Sequence, residues 1–220
     1  MPPPRPDDGL ANRERTLLVA LLLSLWAPLA TGLAVLLSRS TTQVADFVRR
    51  SAELIAVALT WFVVRRLRRR GDLDAGQRAR LERVATRGVA VALAVSGAAM
   101  LLVAAARLRS FEPGGDVRLG LLIAVLGLAT NAWFWRRFAA LTRERPDALI
   151  DAQRRLYRAK VAVDACVIAA LATILWAPGH PATRWVDLGG SVAVALYLGW
   201  SAWRTHAVSD RPRRPGSDPA

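Results

Sequence analysis

Two groups of charged residues stand where the sequence is otherwise apolar. The first group directly precedes the apolar run 54–64, and the second precedes the apolar run 165–176. Acidic side chains bind protons and hard cations, and basic side chains neutralise them, so charges inside an apolar segment are candidates for an ion or proton pathway. The first group is Asp46, Arg49, Arg50 and Glu53, and the second is Lys160 and Asp164.

The spacing of these charges places opposite signs on the same face of a helix. Residues four positions apart are neighbours on a helix surface, so an acid and a base with this spacing can meet. A lone charge at the centre of a bilayer costs at least about 2.5–3.5 kcal/mol, so pairing is expected if these segments cross a membrane. The pairs with this spacing are Asp46–Arg50, Arg49–Glu53 and Lys160–Asp164.

The length of the apolar run after Glu53 indicates that the first group lies within a membrane-spanning helix. A helix needs roughly 20 residues to cross the hydrocarbon core. A span that began at Leu54 would meet Arg65 after only 11 residues. If the helix instead enters the bilayer near Thr42, Glu53 lies about 16 Å deep at about 1.5 Å per residue, which is near the middle of the membrane.

The composition indicates a membrane protein. Hydrophobic residues make up 53% of the 220 residues, yet the net charge is +14. Soluble domains rarely combine these properties, whereas membrane proteins with basic loops do. The sequence therefore predicts an all-α fold, a six-helix transmembrane bundle. The predicted spans are 16–37, 45–66, 88–106, 119–135, 160–176 and 185–203.

The distribution of arginines orients this bundle. The loops and termini on one side of the predicted spans hold 23 arginines, and the loops on the other side hold five. Basic loops stay on the cytoplasmic side, so both termini are expected in the cytoplasm of a multi-pass protein of the plasma (inner) membrane. The arginine cluster at 65–70 is expected to attract anionic lipid headgroups.

The rest of the sequence sets the expected domain limits and disfavours several classes of protein. We expect residues 1–15 to form a disordered basic lead, 16–206 the transmembrane domain and 207–220 a disordered tail, with no soluble domain. The arginines lie between apolar runs instead of on one polar face, which argues against nucleic-acid binding. The motifs of phosphate loops, nucleophile elbows and zinc proteases do not occur in the sequence, so neither an enzyme nor a resident cofactor is expected.

The charges of the second and fifth spans are complementary if the two helices pack side by side. The second span is expected to run toward the cytoplasm and the fifth away from it, so the two are antiparallel. Arg49 and Asp164 then lie at one level of the membrane, and Glu53 and Lys160 lie at another. We therefore predict two ion pairs between the helices, Arg49–Asp164 and Glu53–Lys160.

With these features the chain resembles the cation diffusion facilitator family, whose members export zinc and related divalent cations in exchange for protons. The second span of that family typically reads Ala-Asp-x-x-His-Ser-x-x-Asp, or has Asp in place of His, and the fifth carries His-x-x-x-Asp. The likeness extends over roughly residues 12–206. The positions that carry it are Ala45, Asp46, Arg49, Glu53, Leu81, Glu82, Asn131, Lys160, Asp164, Trp185, Val186 and Asp187.

The resemblance implies secondary, proton-coupled efflux of a cation through a site between the second and fifth spans. Two positions that hold metal ligands in the family are Arg49 and Lys160 here, and neither offers a lone pair while it is protonated. Their charges stand where the charge of a metal ion would be. Metal binding would then fall to Asp46, Glu53 and Asp164, with a divalent cation as the transported substrate.

Three functions are open for these side chains. They can form a cation-transport site, a site for protons or for an anionic or organic substrate, or a structural salt-bridge cluster in a membrane scaffold derived from a transporter. The family's C-terminal cytoplasmic domain, a usual dimerisation module, is not recognised in the sequence. The small residues Ser191, Ala195 and Gly199 recur every four positions and suit close helix packing or contact in a homodimer.

Overall fold

Six long helices make up the described part of the chain. The structure is a computed structural model and describes residues 6–38, 41–69, 73–109, 117–144, 147–176 and 181–209. No strand occurs within these ranges, and the predicted all-α, six-helix fold is confirmed. The helices are α1 (Pro6–Ser38), α2 (Thr41–Arg69), α3 (Ala75–Arg109), α4 (Val117–Glu144), α5 (Ala148–Trp176) and α6 (Pro181–Ser209).

Successive helices run in opposite directions, which brings both ends of the described chain to one end of the bundle. Glu14 near the start of α1 pairs with Arg68 at the end of α2, with Oε2 and Nε 2.6 Å apart. Arg13 forms an ion pair with Asp147, directly before α5. Helix α6 then returns along α5. We call this end of the bundle the terminal end.

Aspartates begin two of the helices at the terminal end. The carboxylate of Asp74 accepts a hydrogen bond from the backbone N–H of Gln77 at 2.6 Å, and that of Asp147 accepts one from Leu149 at 2.8 Å. Each aspartate satisfies a backbone donor that the first turn of a helix leaves without an intrahelical partner. Asp147 therefore both caps α5 and ties it to α1.

A core of aromatic and aliphatic side chains fills the half of the bundle nearer the terminal end. The ring centroids of Phe134 and Phe138 on α4 lie 5.2 and 5.3 Å from that of Tyr157 on α5. All three side chains are almost completely buried. Close packing of this kind holds helices together where the surroundings are apolar as well. The aliphatic side chains around the rings include Leu17, Val57, Leu141, Leu149, Ile150 and Leu156.

Glycine and other small residues allow α3 and α6 to approach closely. A Cβ atom added at Gly97 of α3 would lie 3.2 Å from the backbone carbonyl oxygen of Ala195 and 3.3 Å from Leu198 Cβ. The predicted small-residue face of α6 thus packs against α3 at Ala195, and Ser191 one turn away is buried. The backbone nitrogen of Gly199 also lies 3.6 Å from the Cβ position of Gly97, although a Cβ atom added at Gly199 itself would meet no atom within 4 Å.

Helix α1 begins earlier than the sequence predicted. It includes residues 6–15, for which the sequence predicts a disordered lead. Polar contacts at the terminal end account for the extension, because Asn12 Oδ1 accepts a hydrogen bond from Arg137 Nη2 at 2.8 Å and Arg13 forms its ion pair. The remainder of the predicted lead lies outside the described residues. So does the predicted tail beyond Ser209.

The exterior of the bundle is largely apolar. Two segments, Ala11–Leu33 and Ala75–Ala106, are long and apolar enough to cross a bilayer by length and composition. Extended apolar surface is a property of faces that contact other proteins or lipid. The exposed large apolar side chains include Leu22, Leu29, Leu33, Ile55, Val91, Leu102, Trp133, Leu196 and Trp203.

Candidate ion-binding site

Helices α2 and α5 face each other in antiparallel register, as the charges of the two spans predict. Gln153 Nε2 of α5 donates to Thr60 Oγ1 of α2 at 2.8 Å. Glu53 lies seven residues before Thr60, and Lys160 lies seven residues after Gln153. These two side chains form an ion pair. Seven residues are about two helical turns, so both contacts use the same face of each helix. The two helices therefore present matched polar faces across the bundle.

Glu53 is the centre of a buried charge cluster. Its Oε2 lies 3.4 Å from Lys160 Nζ, and its Oε1 lies 3.5 Å from Arg49 Nη1. Ser96 Oγ of α3 donates to Oε1 at 3.3 Å. Glu53, Arg49 and Lys160 are each only 7% exposed. The predicted Glu53–Lys160 ion pair is confirmed, and so is the predicted meeting of Arg49 with Glu53 along α2.

The aromatic ring of Tyr157 contacts Lys160 from a second side. Lys160 Nζ lies 4.8 Å from the centre of the Tyr157 ring, within the range of a cation–π interaction. The hydroxyl oxygen of Tyr157 lies 3.2 Å from Ser24 Oγ of α1, so the two share a hydrogen bond. The lysine is thus positioned by α1 and α2 as well as by its own helix.

Asp164 is partnered differently from the prediction. Its Oδ2 accepts a hydrogen bond from Asn131 Nδ2 of α4 at 2.7 Å, a contact across helices that the sequence allowed for Asn131. Arg49 and Arg50 act on this carboxylate electrostatically. The predicted Arg49–Asp164 ion pair is not among those of the described side chains, because Glu53, one turn away on the same helix, takes the guanidinium of Arg49.

The charged side chains of the site, with Asn131 and Tyr157, border one cavity of about 690 Å³. Its wall includes residues from all six helices, and it lies in the half of the bundle away from the terminal end. The polar part of the wall contains both carboxylates, Glu53 and Asp164, together with Lys160, Arg49 and Arg50. Its apolar part includes Leu23, Trp26, Met100, Val103, Phe134 and Val167.

One predicted site residue cannot be placed by its side chain. The backbone of α2 includes Asp46, but the side chain of Asp46 lies outside the described residues. Its role as a cation ligand stays a prediction. Among the side chains that the structure describes, no group of three histidines, cysteines, aspartates or glutamates is close enough together to hold a metal ion.

Several residues at the site were not predicted from the sequence. Ser96, Tyr157 and Gln153 contact the charged residues or continue their helix face, and Gly127 leaves room beside the Asp164 carboxylate. A signal existed for two of them. Gln153, Tyr157, Lys160 and Asp164 follow one another at intervals of four, three and four, which is one face of a helix.

Comparison with known families agrees with this arrangement. Residues 17–209 match the cation efflux transmembrane domain. The chain belongs to the cation efflux family. The match includes all of α2 to α6 and most of α1, so it contains every residue of the site. No characterised protein matched the chain in a separate comparison.

Membership of the cation efflux family makes this a membrane-embedded protein from a family of cation transporters, as the sequence predicted. The resemblance to the cation diffusion facilitators is thereby confirmed. The four positions that the sequence resemblance aligned with metal ligands, Arg49, Glu53, Lys160 and Asp164, place two basic and two acidic side chains at the cavity. The wall of the cavity is therefore chemically unlike a four-ligand metal site.

Proposed function

We propose that the chain transports a cation across the membrane through the cavity between α2 and α5. One observation carries this proposal: the Asp164 carboxylate borders the cavity, and its described hydrogen-bond partner, Asn131, is neutral. A cation that reaches Asp164 finds a counter-charge there without separating an ion pair among the described residues. Glu53, in contrast, is neutralised by Arg49 and Lys160.

We assign proton exchange to the charged groups that line the cavity. If the cavity releases one proton when a monovalent cation arrives, its net charge stays constant. One cation would then move in exchange for one proton, which is secondary antiport.

The distribution of basic residues supports one orientation of the bundle in the membrane. We infer a multi-pass protein of the plasma membrane with its terminal end in the cytoplasm, where the arginine-rich loops would contact anionic headgroups. The cavity would then face the outer half of the bilayer, and the packed core around Tyr157 would separate it from the cytoplasm. A homodimer of this bundle also stays a prediction.

A second function is supported by the charge cluster itself. Glu53 contacts two cations and a hydroxyl group, which is the arrangement expected of a structural clamp in a relative that has lost transport. Removing one partner of a buried ion pair leaves an uncompensated charge, so such a cluster makes the fold depend on all of its members. In this scaffold, the side chains would hold α2, α3 and α5 together and no ion would cross.

Flux measurements in proteoliposomes separate the two functions. The purified protein would be tested with a panel of divalent and monovalent cations, with and without a proton gradient, and internal pH would be followed with a trapped dye. Transport predicts a cation-dependent pH change that is lost in Asp164→Asn. Glu82→Gln, on α3 at the terminal end, is the matched control and should keep the signal. The absence of a pH change with every cation of the panel would favour the scaffold.

A further inference from the structure

We propose that the cation carried in this cavity is an organic ammonium ion with an apolar body, and not a bare metal ion. This inference rests on the proposed cation transport through the same cavity and specifies the substrate class. It follows from the size of the cavity, its oxygen donors, its charge and its walls.

The volume of the cavity suits an organic molecule. A bare ion with a water or two needs little space, since one water occupies about 30 Å³ of liquid. Pockets for small organic ligands have volumes of about 300–1,000 Å³. The cavity has about 690 Å³ and so lies inside that range. A lone metal ion would leave most of this space filled only by water.

The described side chains around Asp164 form no cluster of carboxylate, imidazole or thiolate ligands for a dehydrated metal ion. Zinc takes about four protein ligands in a closed site, and calcium takes about six to eight oxygens. The described side chains include no cluster of three metal-binding groups, and the basic side chains of the wall offer no lone pair while protonated. An ammonium group needs only one carboxylate and a few hydrogen-bond acceptors, which Asp164 and Asn131 supply.

The charge of the wall also favours a monovalent cation. Arg49, Arg50 and Lys160 line the same cavity as the two carboxylates. The described side chains of the wall thus carry three positive and two negative charges, and both attraction and repulsion double for a divalent ion. The excess positive charge therefore opposes a divalent ion more than a monovalent one. When it is ionised, the Asp164 carboxylate offers one negative charge beside the neutral Asn131, and this matches the single charge of an ammonium group.

The walls of the cavity provide surface for an apolar body. Phe134, Met100 and Val103 line the cavity, and Trp26 and Leu23 of α1 reach the outside of the bundle with 75% and 58% of their surfaces exposed. Aromatic faces attract organic cations, and apolar side chains pack against the rest of the molecule. Such a ligand can enter from the bilayer past α1.

Ethidium, a fluorescent aromatic cation, is the probe for the first test. It would be titrated into the detergent-solubilised full chain, with anionic fluorescein as the control dye. We expect saturable ethidium binding that is weakened at least tenfold by Asp164→Asn and is not displaced by equimolar Zn²⁺. Circular dichroism and gel filtration would verify that the variant is folded. Equal binding to the wild type and to Asp164→Asn would overturn the inference, and so would stoichiometric displacement by Zn²⁺.

A steric variant tests the same inference without changing any charge. A Cβ atom at Gly127 would lie 3.6 Å from Asp164 Oδ2, so the side chain in Gly127→Leu would project over this carboxylate into the cavity. It should reduce ethidium binding at least tenfold. Gly189→Leu is the matched control, since a Cβ there meets no atom within 4 Å. If Gly127→Leu binds ethidium as well as Gly189→Leu does, the dye is not in this cavity and the inference fails.

The flux assay distinguishes failure of this inference from failure of the proposed function. If metal ions drive a pH change that depends on Asp164 while ethidium does not bind, cation transport stands and the organic substrate is refuted. If neither metal ions nor ethidium produce a response that depends on Asp164, both proposals fail together. Ethidium-driven proton release that is lost in Asp164→Asn would support both.

Discussion

Replacing Glu53 should destabilise the protein more than replacing either of its ion-pair partners. Glu53→Gln removes the carboxylate that two buried cations share, at 3.4 and 3.5 Å. Lys160→Met removes one cation but leaves Glu53 with Arg49 and with the hydroxyl group of Ser96. Glu53→Gln is therefore expected to lower the free energy of unfolding more than Lys160→Met does, although the two residues form one ion pair.

The distances allow the size of this effect to be worked out. At 3.4 Å and an effective dielectric constant of about 20, one unit charge attracts another by about 5 kcal/mol. Desolvation offsets part of that attraction, and breaking a buried pair costs about 3–5 kcal/mol overall. We expect Glu53→Gln to lower the free energy of unfolding by about 4 kcal/mol, and Lys160→Met to lower it by roughly half of that. The double mutant should recover about 1–3 kcal/mol relative to the sum of the single changes.

Unfolding in mixed detergent and SDS micelles, followed by circular dichroism, would measure these free energies. Arg78→Met is the control, because Arg78 forms an exposed pair with Glu82 on α3 at 3.3 Å. Exposed pairs of this kind contribute about 0.5 kcal/mol or less. The reasoning would be refuted if Glu53→Gln cost no more than Arg78→Met. It would also be refuted if the double mutant lost as much unfolding free energy as its two single mutants lose together.

Two further predictions concern the packing of the bundle and its terminal end. Gly97→Ala should lower the unfolding free energy by about 1–3 kcal/mol, because the new methyl group would press on the α6 backbone. Gly189→Ala should not lower it, because a Cβ atom there would meet no atom within 4 Å. Asp147→Ala should speed amide hydrogen exchange at the starts of both α5 and α1, since Asp147 caps one helix and pairs with the other. Asp74→Ala should speed exchange only at the start of α3, and equal effects of both variants on α1 would contradict the role of Asp147.

The polar contacts that the sequence predicted correctly are those set by helix spacing. Arg49 and Glu53 meet because residues four apart are neighbours on any helix. Glu53 and Lys160 meet because antiparallel helices bring complementary charges to the same level. The early start of α1 was not predicted, because residues 6–15 are polar and their helix depends on partners such as Arg137 and Asp147 that are distant in the chain.

The sequence by itself determined the six helices, their alternating directions and the presence of buried charges on α2 and α5, because these follow from apolar length, helical spacing and the cost of charge in a membrane. Only the tertiary structure decided how those charges are partnered. The lateral distances between helices, which no spacing along the chain contains, give Glu53 two cations and leave Asp164 with Asn131. They also open the cavity that the Asp164 carboxylate borders.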